Sequence, residues 1–158
     1  MRRTLPARLA AIAIAATLLG ACGGNGGEER FTKDELITHG DAICATFAQE
    51  TSQIGSSITG EPSAENIDQY AQAFDQLKPL FDEMLTGLKA FNPPEADQAT
   101  WDRIISGLED EQATLAELQS AAAAGDLEAF NAAGQKLNDL DVTTAKLATD
   151  YGFQQCGS

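Results

Sequence analysis

Histidine is nearly missing from this chain of 158 residues: His39 is the only one. Nucleophilic hydrolysis needs a base beside the nucleophile, and with a single histidine and no Gly-x-Ser-x-Gly the chain offers no triad. Glu-x-x-His, the pair that carboxylate-bridged metal bundles place on two helices, does not occur, since Glu35 and His39 stand four apart. A calcium loop of alternating acids around a central glycine is also missing, as is a phosphate-binding glycine loop. His39 lies five residues before Cys44, but a heme or metal would need further soft or imidazole ligands, and none is near in sequence. These absences argue against an enzyme and against a bound metal or cofactor. His39 then reads as a partly exposed helix residue, and Glu109-Asp110-Glu111 as a solvated helix face.

Basic residues are also scarce, with 10 Lys and Arg against 24 Asp and Glu, a formal charge of −14. Nucleic acid and anionic lipid head groups are poor partners for such a surface. No apolar run reaches the ~20 residues that a spanning helix needs. The longest, Leu9 to Leu19, has about 11, and Arg2, Arg3 and Arg8 precede its core, as in a signal peptide. It closes on Leu19-Gly20-Ala21-Cys22, which resembles the lipobox of bacterial lipoproteins. That resemblance implies cleavage before Cys22 and attachment of lipid to its sulfur. Two or three acyl chains make such anchoring effectively permanent, whereas one is marginal. The expected location is the extracytoplasmic face of the bacterial plasma membrane, with the acidic surface repelled from an anionic leaflet.

Residues 1–21 are therefore expected to be a signal peptide and residues 22–30 a flexible tether, glycine-rich and spanning roughly 15 Å as a coil. Residues 31–158 form one domain. With Cys22 lipidated, Cys44 and Cys156 are left, and in an exported chain they make one disulfide by default. Thr32-Lys33-Asp34-Glu35 is a capping box, with Phe31 and Leu36 as the hydrophobic staple. Helix 1 follows to about Ile58, its stripe reading Leu36, Gly40, Ile43, Phe47, Ile54, Ile58. Ser63 caps helix 2, which runs to about Phe91 with Ile67, Tyr70, Phe74, Leu77, Phe81, Met84 and Leu88 at unbroken 3-4 spacing. The stripe keeps its phase across Pro79, which predicts one kinked helix, with two shorter helices as the alternative. Helix 3 starts near Pro94 and presents Trp101, Ile104, Ile105, Leu108, Leu115 and Leu118. Gly125 ends it, and Asp126 caps helix 4 at once, whose inner face is Leu127, Phe130, Leu137, Leu140, Leu147 and Tyr151. Gly152 and Phe153 close that helix.

No segment alternates with a period of two, so the expected fold is all-α, an up-down-up-down four-helix bundle with a kinked second helix. Helix 4 then ends beside the start of helix 1. The five residues after Tyr151–Gly152 reach ~17 Å and Cys44 lies ~18 Å along helix 1, so closure of the disulfide is feasible. Five glycines inside helices (Gly40, Gly55, Gly87, Gly107, Gly134) each cost about 1 kcal/mol against alanine. They mark either close helix packing or room for a ligand. Thr51, Gln112 and Thr144 interrupt the stripes and are candidates to line a small cavity.

Ile43-Cys44, Asn92-Pro93-Pro94 before a helix with Trp101, Ala124-Gly125-Asp126, and Tyr151-Gly152-Phe153 with Cys156-Gly157 resemble, in order and spacing, small helical-bundle lipoproteins of actinobacteria. The resemblance spans nearly the whole mature chain and implies fold, disulfide and location. That group carries no assigned activity, so no catalytic residue is implied. The expected function is non-catalytic: a membrane-anchored envelope protein that binds another protein or a wall component through its helical faces. The alternative is a carrier that holds a small apolar ligand between its helices, and a continuous apolar cavity would favour it.

Overall fold

The computed structural model describes residues 30–56 and 58–157. The expected signal peptide, Cys22 and the tether up to residue 29 lie outside the described residues. Four helices, α1 (Lys33–Ser56), α2 (Ile67–Lys89), α3 (Gln98–Ala124) and α4 (Leu127–Tyr151), form the bundle. A single 3-10 turn, Glu95–Asp97, leads into α3. No strand occurs among the described residues. None of the described helices is long and apolar enough to cross a membrane.

The helix ends follow from local chemistry. The Thr32 backbone N–H donates to the Glu35 carboxylate at 2.9 Å and the Glu35 N–H donates to the Thr32 hydroxyl at 3.3 Å, the reciprocal pair of a capping box. The Thr32 N–H, and with it the Thr32 hydroxyl at 2.7 Å, donate to the Glu35 carboxylate and hold it below its ordinary value. At the α3–α4 corner Gly125 takes a left-handed φ of 68°, and the Asp126 carboxylate accepts from the Ala129 N–H at 3.0 Å. α4 ends on Gly152 at φ 126°, with the Phe153 N–H folded back onto the Ala148 carbonyl.

Two sequence expectations are corrected here. Ser63 does not cap α2, because the Asn66 side chain turns back to accept from the Ser63 N–H and hydroxyl, and the regular helix begins one turn later at Ile67. Arg30, assigned to the tether, is docked: its guanidinium donates to the Pro93 carbonyl at 2.7 Å and to the Gln98 side chain at 3.0 Å. α2 itself passes through Pro79 as one helix and does not split.

The core is a single cluster running from Leu36 through Phe81, Leu88 and Trp101 to Phe130, with Phe153 of the C-terminal tail fully enclosed. The inner face of α4 is rotated from the expected leucine stripe. Phe130, Ala133, Thr144, Ala148 and Tyr151 are buried, whereas Leu127, Leu137, Leu140 and Leu147 are half-buried. Small residues draw α3 and α4 together, and Gly107 sits so close to Thr144 that a Cβ there would run into its hydroxyl. Gly40 likewise makes room for the Phe153 ring and Gly87 for Ile43, so these glycines serve close packing. Gly55 meets nothing, and Gly134 barely touches Leu118.

Consecutive helices pack along their lengths, but the fourth seam, α1 against α4, is loose. The C-terminal tail closes it at one end. Cys44 and Cys156 are bonded with their Cα atoms 5.1 Å apart. The Asp41 carboxylate accepts from the backbone N–H groups of Gln154, Gln155 and Cys156 at 3.0, 2.8 and 3.3 Å. Asp41 therefore ties the tail to α1 in a way that its position in the sequence did not announce.

Candidate functional site

The loose seam opens a mostly apolar cavity of about 340 Å³ between all four helices and the tail. Phe47, Phe81, Met84, Trp101 and Phe153 wall it, and the Cys44–Cys156 disulfide lies at its upper end. Its volume is at the small end of the usual range for ligand pockets, ~300–1,000 Å³. A shallower groove continues along the α1–α4 seam toward Leu137 and Gly134, sharing Phe47, Thr51, Glu111 and Asp141 with the inner cavity. Gly134 thus leaves space, whereas Gly40, Gly87 and Gly107 serve close packing.

Glu111 stands where cavity and groove meet. It is only 5 % exposed, and its Oε1 is buried without a hydrogen-bond partner. An unpaired buried carboxylate is expensive, so the proton is retained instead. Desolvation pushes the Glu111 carboxyl from its ordinary 4.5 up to about 7; Thr144 pulls the other way, and the Asp141 charge adds to the rise. Thr144 offsets only part of the burial because its hydroxyl donates to the Leu140 carbonyl at 3.0 Å.

The solvated acidic face predicted from Glu109-Asp110-Glu111 is right for two of its three members. Glu109 and Asp110 are exposed, and Glu109 pairs with Lys89. Glu111 is the correction. The steps Ile104, Leu108, Glu111, Leu115, Leu118 are 4-3-4-3, so helical geometry carries its side chain inward with the apolar stripe. Reading charge before phase concealed it. Of the three stripe-interrupting polar residues, Thr51 and Thr144 line the cavity. Gln112 does not; it donates to Asp82 at 2.7 Å, and the Lys78 ammonium, with Gln112 second, holds the Asp82 carboxyl below its ordinary value.

The other singled-out residues have structural partners. His39 is exposed, its ring 5.6 Å from Phe31 and 6.3 Å from Phe91. The Tyr70 hydroxyl donates to the Gly60 carbonyl at 2.7 Å and the Tyr151 hydroxyl to Asp97 at 2.9 Å. Among the described residues, no three His, Cys, Asp or Glu side chains converge as a metal ion would require.

A second depression, about 500 Å³, runs along the outside of the α1–α2 pair over Ile43, Leu80, Met84 and Phe91. Its carboxylates, Glu50 and Glu83, are solvent-exposed. It holds no buried polar atom in need of a partner, so the interhelical cavity is the better candidate. Compared with known proteins, the chain matches no family model, no curated protein and no solved structure.

Proposed function

We propose that this protein is a small-molecule carrier or binding protein, held by lipid on Cys22 at the extracytoplasmic face of the bacterial plasma membrane, that receives its ligand between the helices. The observation that carries this reading is the apolar cavity with the unpartnered Glu111 carboxylate at its open side. A closed structural core would have placed an apolar residue at position 111, and a carboxylate there stabilises nothing unless something arrives to pair with it. Docking of a protein or wall component through the helical faces, the other reading of the sequence, has less support. Among the described residues Val142 is the one large hydrophobic side chain that stands exposed, and a docking face is ordinarily a contiguous apolar patch. The anchor rests on the lipobox resemblance and the tether on composition. The chemistry is reversible binding, with no catalytic residue and no cofactor assigned.

Native mass spectrometry of the protein extracted from its own membranes tests the proposal. A small molecule that stays on the folded chain, leaves on denaturation and is lost in Thr51→Leu, which fills the cavity, is the expected outcome. Retention unaffected by that substitution, or no retained molecule together with no binding of apolar probes by the emptied protein, would overturn it.

A further inference from the structure

We propose that the cavity selects a cationic amphiphile: an apolar body, ring or short chain, seated among the aromatic walls, with an ammonium group hydrogen-bonded to Glu111 Oε1. The inference rests on the reading of the cavity as a ligand site and specifies what that site prefers. Three independent features of the cavity and the chain converge on positive charge.

The first is the orphan atom itself. Glu111 Oε1 lies inside the protein wall without a hydrogen-bond partner. An ionised carboxylate is acceptor-only, so its partner has to bring hydrogen-bond donors, and an ammonium brings three plus the compensating charge. The second is the inventory of charge around it. α1, α2 and the tail contribute no titratable group to the cavity, α3 contributes Glu111, and α4 contributes Asp141. No lysine, arginine or histidine lines it. A carboxylate ligand would meet two acids and no counter-ion, whereas a cation would meet both with nothing to repel it. The third is the wall. Phe47, Phe81, Trp101 and Phe153 present aromatic surface, which attracts cations through the ring quadrupole and accepts an apolar body by burial. The excess of acids over bases in the whole chain raises the local concentration of cations at the cavity mouth.

The size of the space limits the class. About 340 Å³ suits a single ring or a short chain and has no room for a two-chain lipid. Because the Glu111 carboxyl holds its proton up to about pH 7 when the cavity is empty, an ammonium ligand that binds below that pH displaces the proton and releases it to solvent. Affinity for the ammonium then rises with pH until the carboxyl is ionised in the empty protein.

Trp101 is the only tryptophan of the chain and a wall of the cavity, so its fluorescence reports occupancy directly. The experiment titrates the intact folded protein with a matched trio of probes, 2-phenylethylammonium, 2-phenylethanol and phenylacetate, at pH 5 and pH 8. The ammonium should bind tightest at pH 8, weaken at least tenfold at pH 5, and release close to one proton at pH 5 but little at pH 8, read by calorimetry in buffers of different ionisation enthalpy. The alcohol should bind weakly and independently of pH, and the acid should not bind. Glu111→Gln, nearly the same in shape, should weaken the ammonium roughly tenfold to a hundredfold, the range for loss of a charge-assisted hydrogen bond, and leave the alcohol unchanged. Equal binding of ammonium and alcohol, unaltered by Glu111→Gln, would overturn the cation preference while leaving the ligand site intact. If none of the three probes changed Trp101 fluorescence or gave a heat, the ligand-site reading itself would fall. Should Glu111→Gln not fold, the pH dependence and proton release of the native protein decide the question alone.

Discussion

Replacing Glu111 with leucine should stabilise this protein at pH 8 and hardly change it at pH 5. Folding carries the Glu111 carboxyl from an ordinary 4.5 to about 7. The folded state therefore holds a proton that the unfolded chain has already released. Stability from this group is complete below pH 4.5, declines as pH rises through the interval, and is fully lost once pH passes about 7. At ~1.36 kcal/mol per pH unit the interval amounts to about 3 kcal/mol, of which roughly 2–3 kcal/mol falls between pH 5 and pH 8. Asp82 and Glu35, whose carboxyls are held low, act on the acid side of this window and leave it clear. Asp141, the one other acid at the cavity, is exposed. Urea denaturation of native protein and Glu111→Leu at the two pH values measures the difference. The native protein should lose roughly 2–3 kcal/mol on going from pH 5 to pH 8, the variant should be flat, and at pH 8 the variant should melt roughly 10 °C higher. A native protein equally stable at both pH values would refute the reasoning, and so would a leucine variant that keeps the native slope. The first result would mean that the Glu111 carboxylate finds donors on ionising, and the second that another group carries the pH dependence.

Three further outcomes follow from the packing and the anchor. Gly107→Ala should destabilise by about 1 kcal/mol, because overpacking against Thr144 (~1–3 kcal/mol) exceeds the gain in helix propensity, whereas Gly55→Ala, which meets nothing, should stabilise by about 1 kcal/mol; thermal unfolding of the pair separates the two. Removing the disulfide by Cys44→Ala with Cys156→Ala should cost about 3–5 kcal/mol, the chain-entropy value for a loop of this length less any relief, read as the shift in urea midpoint against oxidised protein. Cys22→Ala should release the protein from membranes or leave it unprocessed, seen by fractionation and intact mass, and a correctly cleaved variant that stays on the membrane would remove lipidation from the account.

Much of the bundle was legible because its signals are local. The Thr32–Glu35 box, Gly125 with Asp126, and the unbroken stripe across Pro79 each fix a boundary or a phase within a few residues, and helices report those interactions faithfully. The disulfide was legible for a different reason, since subtraction left one pair. What failed was longer-range. The rotation of α4 onto Ala133, Thr144 and Ala148 depends on how near α3 can come at Gly107, which no single helix records. Ser63 lost its role to Asn66 because two polar side chains competed for the same turn. The site was half-visible. Thr51 and Thr144 drew notice as polar breaks in apolar stripes, while Glu111 was hidden inside a run of three acids whose other members do face water. Whether the four faces enclose space at all depends on the α1–α4 seam, a property of packing that periodicity does not carry.

That seam also bears on the order in which the molecule can be assembled. α2, α3 and α4 meet as neighbouring antiparallel pairs joined by short turns, so their contacts close small loops and form early on topological grounds. α1 is different. It packs on α2, and its other restraints, from Lys33, Ile37, Gly40, Asp41 and Cys44, reach to Tyr151–Cys156 at the end of the chain, with the disulfide spanning 112 positions in sequence. Bringing those segments together carries the largest loop-closure entropy in the fold. A chain emerging in order from its N-terminus cannot fasten α1 until Phe153 and Cys156 have appeared. Until then α1 is held by α2 alone, and the space that becomes the interhelical cavity has no lid on its α4 side.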